Sequence, residues 1–310
     1  PFELDGVEFQ VVGRMKRGVS GFLFTYLLPY APGIASHFKD STEVQRGWIH
    51  LNGLAVLDEL RSGQEQEEAE FIGGQTRTQD AFAAFAIFGL VLVAAGGAKL
   101  YMRLFERMSE PPTPVLGPLL RETVQRPRLF RTTHAVLYGV FFVFMEIGIE
   151  WPLLNYRLTE YMTAVFSEGG LSYIGDAYAS QNILQAAIAT YHNNYVVQTL
   201  GYTFLLSVPP LALGVLKTLA SFALVGFAMT PIWAGAASGY VFHSITMALE
   251  LEAYIVACFV VMVWPIHLWR GINGKGFGRE LFLGARIFIG GIILTGVMLA
   301  IAALYEAASL

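Results

Sequence analysis

From about residue 80 onward the chain alternates long apolar runs with short polar and charged gaps. A helix needs roughly 20 predominantly apolar residues to cross the hydrocarbon core of a bilayer. Six runs meet that need: 80–101, 133–154, 194–216, 218–236, 239–267 and 281–304. A further candidate, 19–36, is short and carries Pro29 and Pro32, so it either spans with a kink or dips in and returns. The expected fold class is all-α, a polytopic transmembrane helical bundle with about seven spans.

The gaps carry their own patterns. In 155–191, Leu158, Tyr161, Met162, Val165 and Phe166 recur at helical spacing with Arg157, Glu160 and Glu168 around them. That arrangement predicts a helix lying in the membrane interface, broken by Gly169 and Gly170. A second helical stretch follows over 176–191. Pro209–Pro210 must kink or break the run 194–216, because two amide donors are missing there. Lys217 is placed in a tight turn after that run, and Pro111, Pro112, Pro114 and Pro118 read as a linker.

Composition agrees with a bilayer as solvent. The 310 residues are 55% hydrophobic and 14% charged, where a soluble domain carries about 25% charged residues. This argues against a soluble enzyme. The net charge of −4 gives no reason to expect a nucleic-acid partner. Cys258 is the sole cysteine, so no intrachain disulfide forms. No short cleavable signal is apparent, and insertion is expected to rely on the spans themselves.

Lys and Arg placement sets the expected orientation. Arg14, Lys16 and Arg17 precede the first candidate, and Lys99, Arg103, Arg107, Arg121, Arg126, Arg128 and Arg131 surround the gap before 133–154. Lys217, Arg270, Lys275 and Arg279 fall on the same side, which is then the cytoplasm. The gap 37–79, where acids outnumber bases, lies outside. The expected location is the cytoplasmic (inner) membrane, with the amino terminus inside and the carboxyl terminus outside.

Ionisable groups inside spans are expensive and therefore informative. His134 and Arg286 sit near inner edges and are read as snorkelling to the interface. Glu150, His192, Asn193, Asn194, His243, Glu250 and Glu306 come from separate parts of the chain yet fall toward the outer leaflet, as a candidate polar cluster. Either they join helices by hydrogen bonds or they bind or relay something. Glu146 and Glu150 share a helix face, as do His243 and Glu250. Glu250 and Glu252 point roughly opposite ways, so one of them is expected to face a second subunit, a partner or a protonated site. A metal site from His192, His243 and a Glu lacks any supporting spacing. The stretch 274–279 (GKGFGR) lacks phosphate-loop spacing, and no nucleophile elbow occurs. No catalytic residue, metal or cofactor is expected.

Three stretches resemble the stage II sporulation protein M family of integral membrane proteins. They are YHNNYVVQTLGYTFLLSVPPLALG (191–214), ELEAYIVA (250–257) and ALYEAA (303–308), within a block of about 121–306. The sequence departs from the family where a histidine usually stands four residues before the motif glutamate; here that position is Thr246. The resemblance implies a scaffold rather than a catalyst, and the family name does not itself imply sporulation. The expected organisation is a two-span extension with an acidic outer loop (1–110), a basic proline-containing linker (111–131) and a five-span core (132–310). The expected function is a non-catalytic membrane scaffold or anchor that binds membrane or envelope proteins and lipids, in an arrangement open to homo-oligomers. The alternative is a transporter or channel using Glu250 and His243.

Overall fold

The computed structural model describes residues 2–4, 7–9, 77–110, 113–209, 213–231, 237–274 and 276–308. The chain divides into two compact units, Pro1–Gly74 and Gln75–Leu310. The first contains a short antiparallel hairpin, β1 (Phe2–Leu4) and β2 (Val7–Phe9), with Phe2 opposite Phe9. The candidate 19–36 and nearly all of the acidic gap 37–79 lie outside the described residues.

The second unit is helical. Among its described residues, four helices are long and apolar enough to cross a membrane: α1 (Arg77–Met108), α3 (Pro127–Glu150), α8 (Ala237–Ile272) and α9 (Phe277–Ala307). Between α1 and α3 lies α2 (Gly117–Gln125), and after α3 come α4 (Pro152–Ser167), α5 (Ser172–Ala179) and α6 (Ile183–Tyr191). Proline opens α3 and α4 and follows the first residue of α2. At these positions no intrahelical donor is lost and φ is already helical. The segment 111–131 is therefore more than a linker: Leu119 and Leu120 of α2 are fully buried. Pro152 also explains why α3 stops at Glu150, short of the expected residue 154.

The run 194–216 is not one helix. The chain stays helical from α6 into a π-helical segment (His192–Phe204) and a 3₁₀ turn (Leu205–Ser207), then bends before α7 (Leu213–Ala228). Pro209 sits in that bend, where a missing donor ends the ladder. Because the chain bends at Pro209 and α7 begins at Leu213, Lys217 lies inside α7 rather than in a turn. The stretch 176–191 is likewise split. Gln181 adopts φ 54°, and the Asn182 side chain caps α6 by accepting from the Gln185 amide at 3.1 Å.

Helix α8 is the axis of this unit. It packs against α1, α3, α7, α9 and the π segment. Of its most apolar window 67% is buried, against 22% for α1. Around it Phe130 and Phe259 meet edge to face at 5.5 Å, and Tyr138 meets Phe222 at 6.3 Å. Phe82, Phe85, Phe88 and Leu92 of α1 remain exposed. Such a face is unsuited to water and suited to lipid.

One end of the unit is closed by a charged knot. His267 of α8 contacts Glu280 of α9 at 2.8 Å and Glu122 of α2 at 3.3 Å, and Arg126 pairs with Glu122. Burial alone would disfavour the Glu122 charge. The close approach of His267, the hydrogen bond from Arg126 and the charges of both overcome it and bring Glu122 down to about 2. A carboxyl lowered on folding stabilises the fold above its ordinary value of 4.5, and that contribution is lost as pH falls toward about 2. Thermal unfolding of the purified protein should therefore show a stability loss across that window. Glu122→Gln should start lower at neutral pH and flatten this part of the profile; an unchanged profile would mean the knot contributes nothing.

Candidate functional site

The polar groups inside the bundle gather around α8. On one side stands Glu250. Asn194 of the π segment donates from Nδ2 to Glu250 Oε1 at 2.6 Å. Asn193 Nδ2 in turn donates to Asn194 Oδ1 at 2.9 Å. That bond occupies the amide oxygen of Asn194 and leaves its nitrogen for the acid. The π pitch supports this placement. Thr199 and Thr203 donate their hydroxyls to carbonyls five residues back, Asn194 at 2.6 Å and Gln198 at 3.2 Å. Long π runs are rare and concentrate at functional positions.

Glu306, in the last turn of α9, is close enough to Glu250 for the two acids to act on each other electrostatically. Glu306 also bonds the Tyr178 hydroxyl of α5, which meets Thr190 Oγ1 at 3.1 Å. Burial first, and then the neighbouring Glu306 and Glu250, push the Tyr178 phenol up to about 12, against a lowering by Thr190. Tyr254, one helical turn beyond Glu250, feels both acids. Lys217 reaches the same region: its Nζ donates to the Gln198 carbonyl at 3.2 Å and lies 5.7 Å from the centre of the Tyr254 ring.

Of the seven residues expected to cluster, Asn193, Asn194 and Glu250 are joined by hydrogen bonds, and Glu306 is near enough to act on Glu250 electrostatically. His192 does not join them: it is exposed, with its ring edge-on to Tyr173 at 5.9 Å. His243 is exposed beside Phe242. Glu150 is exposed at the end of α3, and Glu146 is exposed one turn earlier. Tyr178, Thr190, Tyr254 and Lys217 join the site without a sequence motif to announce them. An acid that must be buried needs donors nearby, and that demand is the one available signal for them.

On the opposite side of α8 stands Glu252, also buried. His134 Nε2 lies 2.9 Å from its Oε1, and the Tyr138 hydroxyl donates to the same oxygen at 3.1 Å. His134 is therefore not snorkelling: it is 1% exposed, in the bundle core. Nor does either acid of α8 turn to a second subunit. Because α8 is surrounded, both of its opposite faces are interior. Helix α1 approaches this pair so closely that a Cβ on Gly97 would lie 2.9 Å from His134 Nε2 and 3.0 Å from Glu252 Oε1. A side chain at Gly97 would push against this pair, so the glycine favours the close approach of α1.

Among the described residues no group of three His, Cys, Asp or Glu side chains is arranged to hold a metal ion. Chemically, the Glu250 side offers hydrogen bonds between helices. Its described residues present no nucleophile paired with a base. No family model, curated protein or solved structure matches the chain.

Proposed function

We propose that this chain is a non-catalytic integral membrane scaffold of the stage II sporulation protein M kind, docking membrane or envelope proteins on the side that carries α4, α5 and α6. One observation carries the reading. The acids Glu250, Glu252 and Glu306 are each met by a side chain from another helix of the same chain: Glu250 by Asn194, Glu252 by His134 and Tyr138, Glu306 by Tyr178. Polar groups used this way join helices. The bond from Tyr178 also ties the α5 layer to the bundle, giving the docking side a fixed base. Tyr161, Tyr173, Ile183, Leu184 and Ile188 are exposed on that layer and supply apolar anchors.

The stretches that carry the resemblance come together at the same site. Its three stretches, far apart in sequence, contribute Asn194, Glu250 and Glu306 to one cluster. The orientation reading, cytoplasmic amino terminus and outer carboxyl terminus in an inner membrane with about seven spans, is supported by charge. Arg103, Arg107, Arg121, Arg128, Arg131, Arg270 and Arg279 belong to α1, α2, α3, α8 and α9 where these meet at the knotted end. The alternative, a transporter using Glu250 and His243, has less support, since Glu250 is buried and His243 exposed.

The test is gentle affinity purification of the native chain, with crosslinking before solubilisation. The same membrane or envelope proteins should be recovered repeatedly. Charging two of the apolar anchors, by Leu184→Glu together with Ile188→Glu, should release them. Purification of the chain alone, together with solute movement in liposomes, would sink the scaffold reading.

A further inference from the structure

We infer that Arg286 is the phosphate-binding centre of an anionic phospholipid site on the bilayer-facing side of α9, at the border between hydrocarbon and headgroups. This does not rest on the scaffold reading. The level comes from the sequence. From Ile287 to Tyr305, α9 carries no charged residue, and that run matches the ~20 apolar residues a hydrocarbon core requires. Arg286 is the residue before it, so its side chain stands where lipid phosphates lie. The azimuth comes from exposure. Phe282, Ile289, Ile293, Val297 and Ile301 are exposed along α9. They recur every three or four residues with Arg286 in line between them. An acyl chain lying along that stripe brings its own phosphate to Arg286.

The guanidinium is held in place and incompletely used. Its Nη2 donates to the Pro114 carbonyl at 2.8 Å, and the centre of the Phe282 ring lies 5.7 Å away. The segment leading into α2 forms one wall: a Cβ on Gly290 would lie 3.1 Å from Val115 O and 3.3 Å from Leu119 Cβ. A guanidinium has five N–H donors in one plane, a fork that matches two phosphate oxygens. The bond to Pro114 orients the fork and leaves most of it free. Among the described residues no acid pairs with Arg286 or Arg279. Glu122 of α2 and Glu280 of α9 are taken up in the knot by His267 and Arg126. Arg279, two turns before Arg286 on the same face and exposed, adds a second cation on the headgroup side. Two cations with no acid paired to them suit a phosphate whose headgroup brings no ammonium of its own. That describes an anionic phospholipid rather than a zwitterionic one.

The test titrates the full chain in mild detergent with phosphatidylglycerol or with phosphatidylcholine of the same acyl chains. Retained lipid is read by native mass spectrometry, with thermal unfolding alongside. Wild type should retain phosphatidylglycerol in preference and gain stability from it. Arg286→Gln should weaken that retention roughly fivefold or more, as loss of an arginine–phosphate contact implies. Arg286→Lys should fall between, because a point charge replaces the fork. Arg279→Gln leaves the Pro114 bond intact and should weaken retention by a smaller factor. Arg131→Gln, which removes an exposed base of α3, should retain the lipid as wild type does. A merely structural Arg286 would lower stability equally with either lipid and leave the preference intact, and that result overturns the inference. It is equally overturned if inorganic phosphate alone protects as well as phosphatidylglycerol, since the site would then take a free anion. In native membranes a photoreactive side chain in place of Ile289 should crosslink to lipid. A protein crosslinked there would assign the stripe to a protein partner and overturn the lipid site.

Discussion

Gly226→Ala is expected to be the most damaging single-methyl change in the bundle. A Cβ at Gly226 would overlap the carbonyl oxygen of Phe141 and lie 2.8 Å and 2.9 Å from that residue's carbonyl carbon and Cα. These are backbone atoms of α3, so no side chain can rotate to make room, and α3 and α7 must part. Parting them strains neighbouring bonds across the same crossing. Thr230 Oγ1 bridges Met145 O at 3.2 Å and Phe227 O at 2.8 Å, and Asn155 of α4 donates to the Phe227 carbonyl. Forced overpacking alone costs about 1–3 kcal/mol, and loosening these bonds adds to it. Thermal unfolding in detergent should show Gly226→Ala well below wild type. Gly89→Ala is the matched comparison: it lies in α1 with no atom within 4 Å of its added carbon. That change should be neutral or stabilise by up to ~1 kcal/mol through helix propensity. Equal effects of the two changes would contradict the close α3–α7 crossing.

The parts of this structure legible in the sequence are those governed by one-dimensional physics. A bilayer demands about 20 apolar residues in a row, so the positions of α1, α3, α8 and α9 follow from counting. Proline removes a donor wherever it stands, so the break near Pro209 follows too. Ionisable residues in apolar runs are costly, which marks out Glu250 and Glu306. What escapes depends on azimuth. Residues 250 and 252 are about 200° apart around a helix. Whether the second faces a core, a lipid or a partner depends on how many neighbours α8 has, which no periodicity in α8 records. His134 illustrates the same gap. It stands near a span's edge in sequence, yet α1 and α8 close over it. The π pattern is illegible for a related reason: nothing in HNNYVVQTLGYTF distinguishes a five-residue from a four-residue hydrogen-bond spacing. The wider pitch is selected by the contacts it makes, Asn194 with Glu250 and Tyr195 with the Ile292 carbonyl at 3.1 Å.

The second large effect is expected at the bond between the π segment and α8. Asn194→Leu deletes the donor that reaches Glu250 Oε1 and leaves a buried acid to find another partner. Removing one side of a buried hydrogen bond costs about 1–3 kcal/mol, because the remaining group keeps its desolvation penalty. Glu250→Met removes the acid instead and strands the Asn194 amide. The double variant strands neither group and should recover part of both losses. Polar contacts between membrane helices show coupling energies averaging about 0.6 kcal/mol with a maximum near ~1.7. This pair should lie toward the upper end, since the 2.6 Å contact is short and Asn193 already occupies the other end of the Asn194 amide. The cycle is measured by unfolding in detergent with all four proteins. Strict additivity would mean that the unfolded ensemble satisfies Glu250 as well as Asn194 does. The contact would then no longer explain why a π-helical segment, with its poorer backbone geometry, is maintained beside α8.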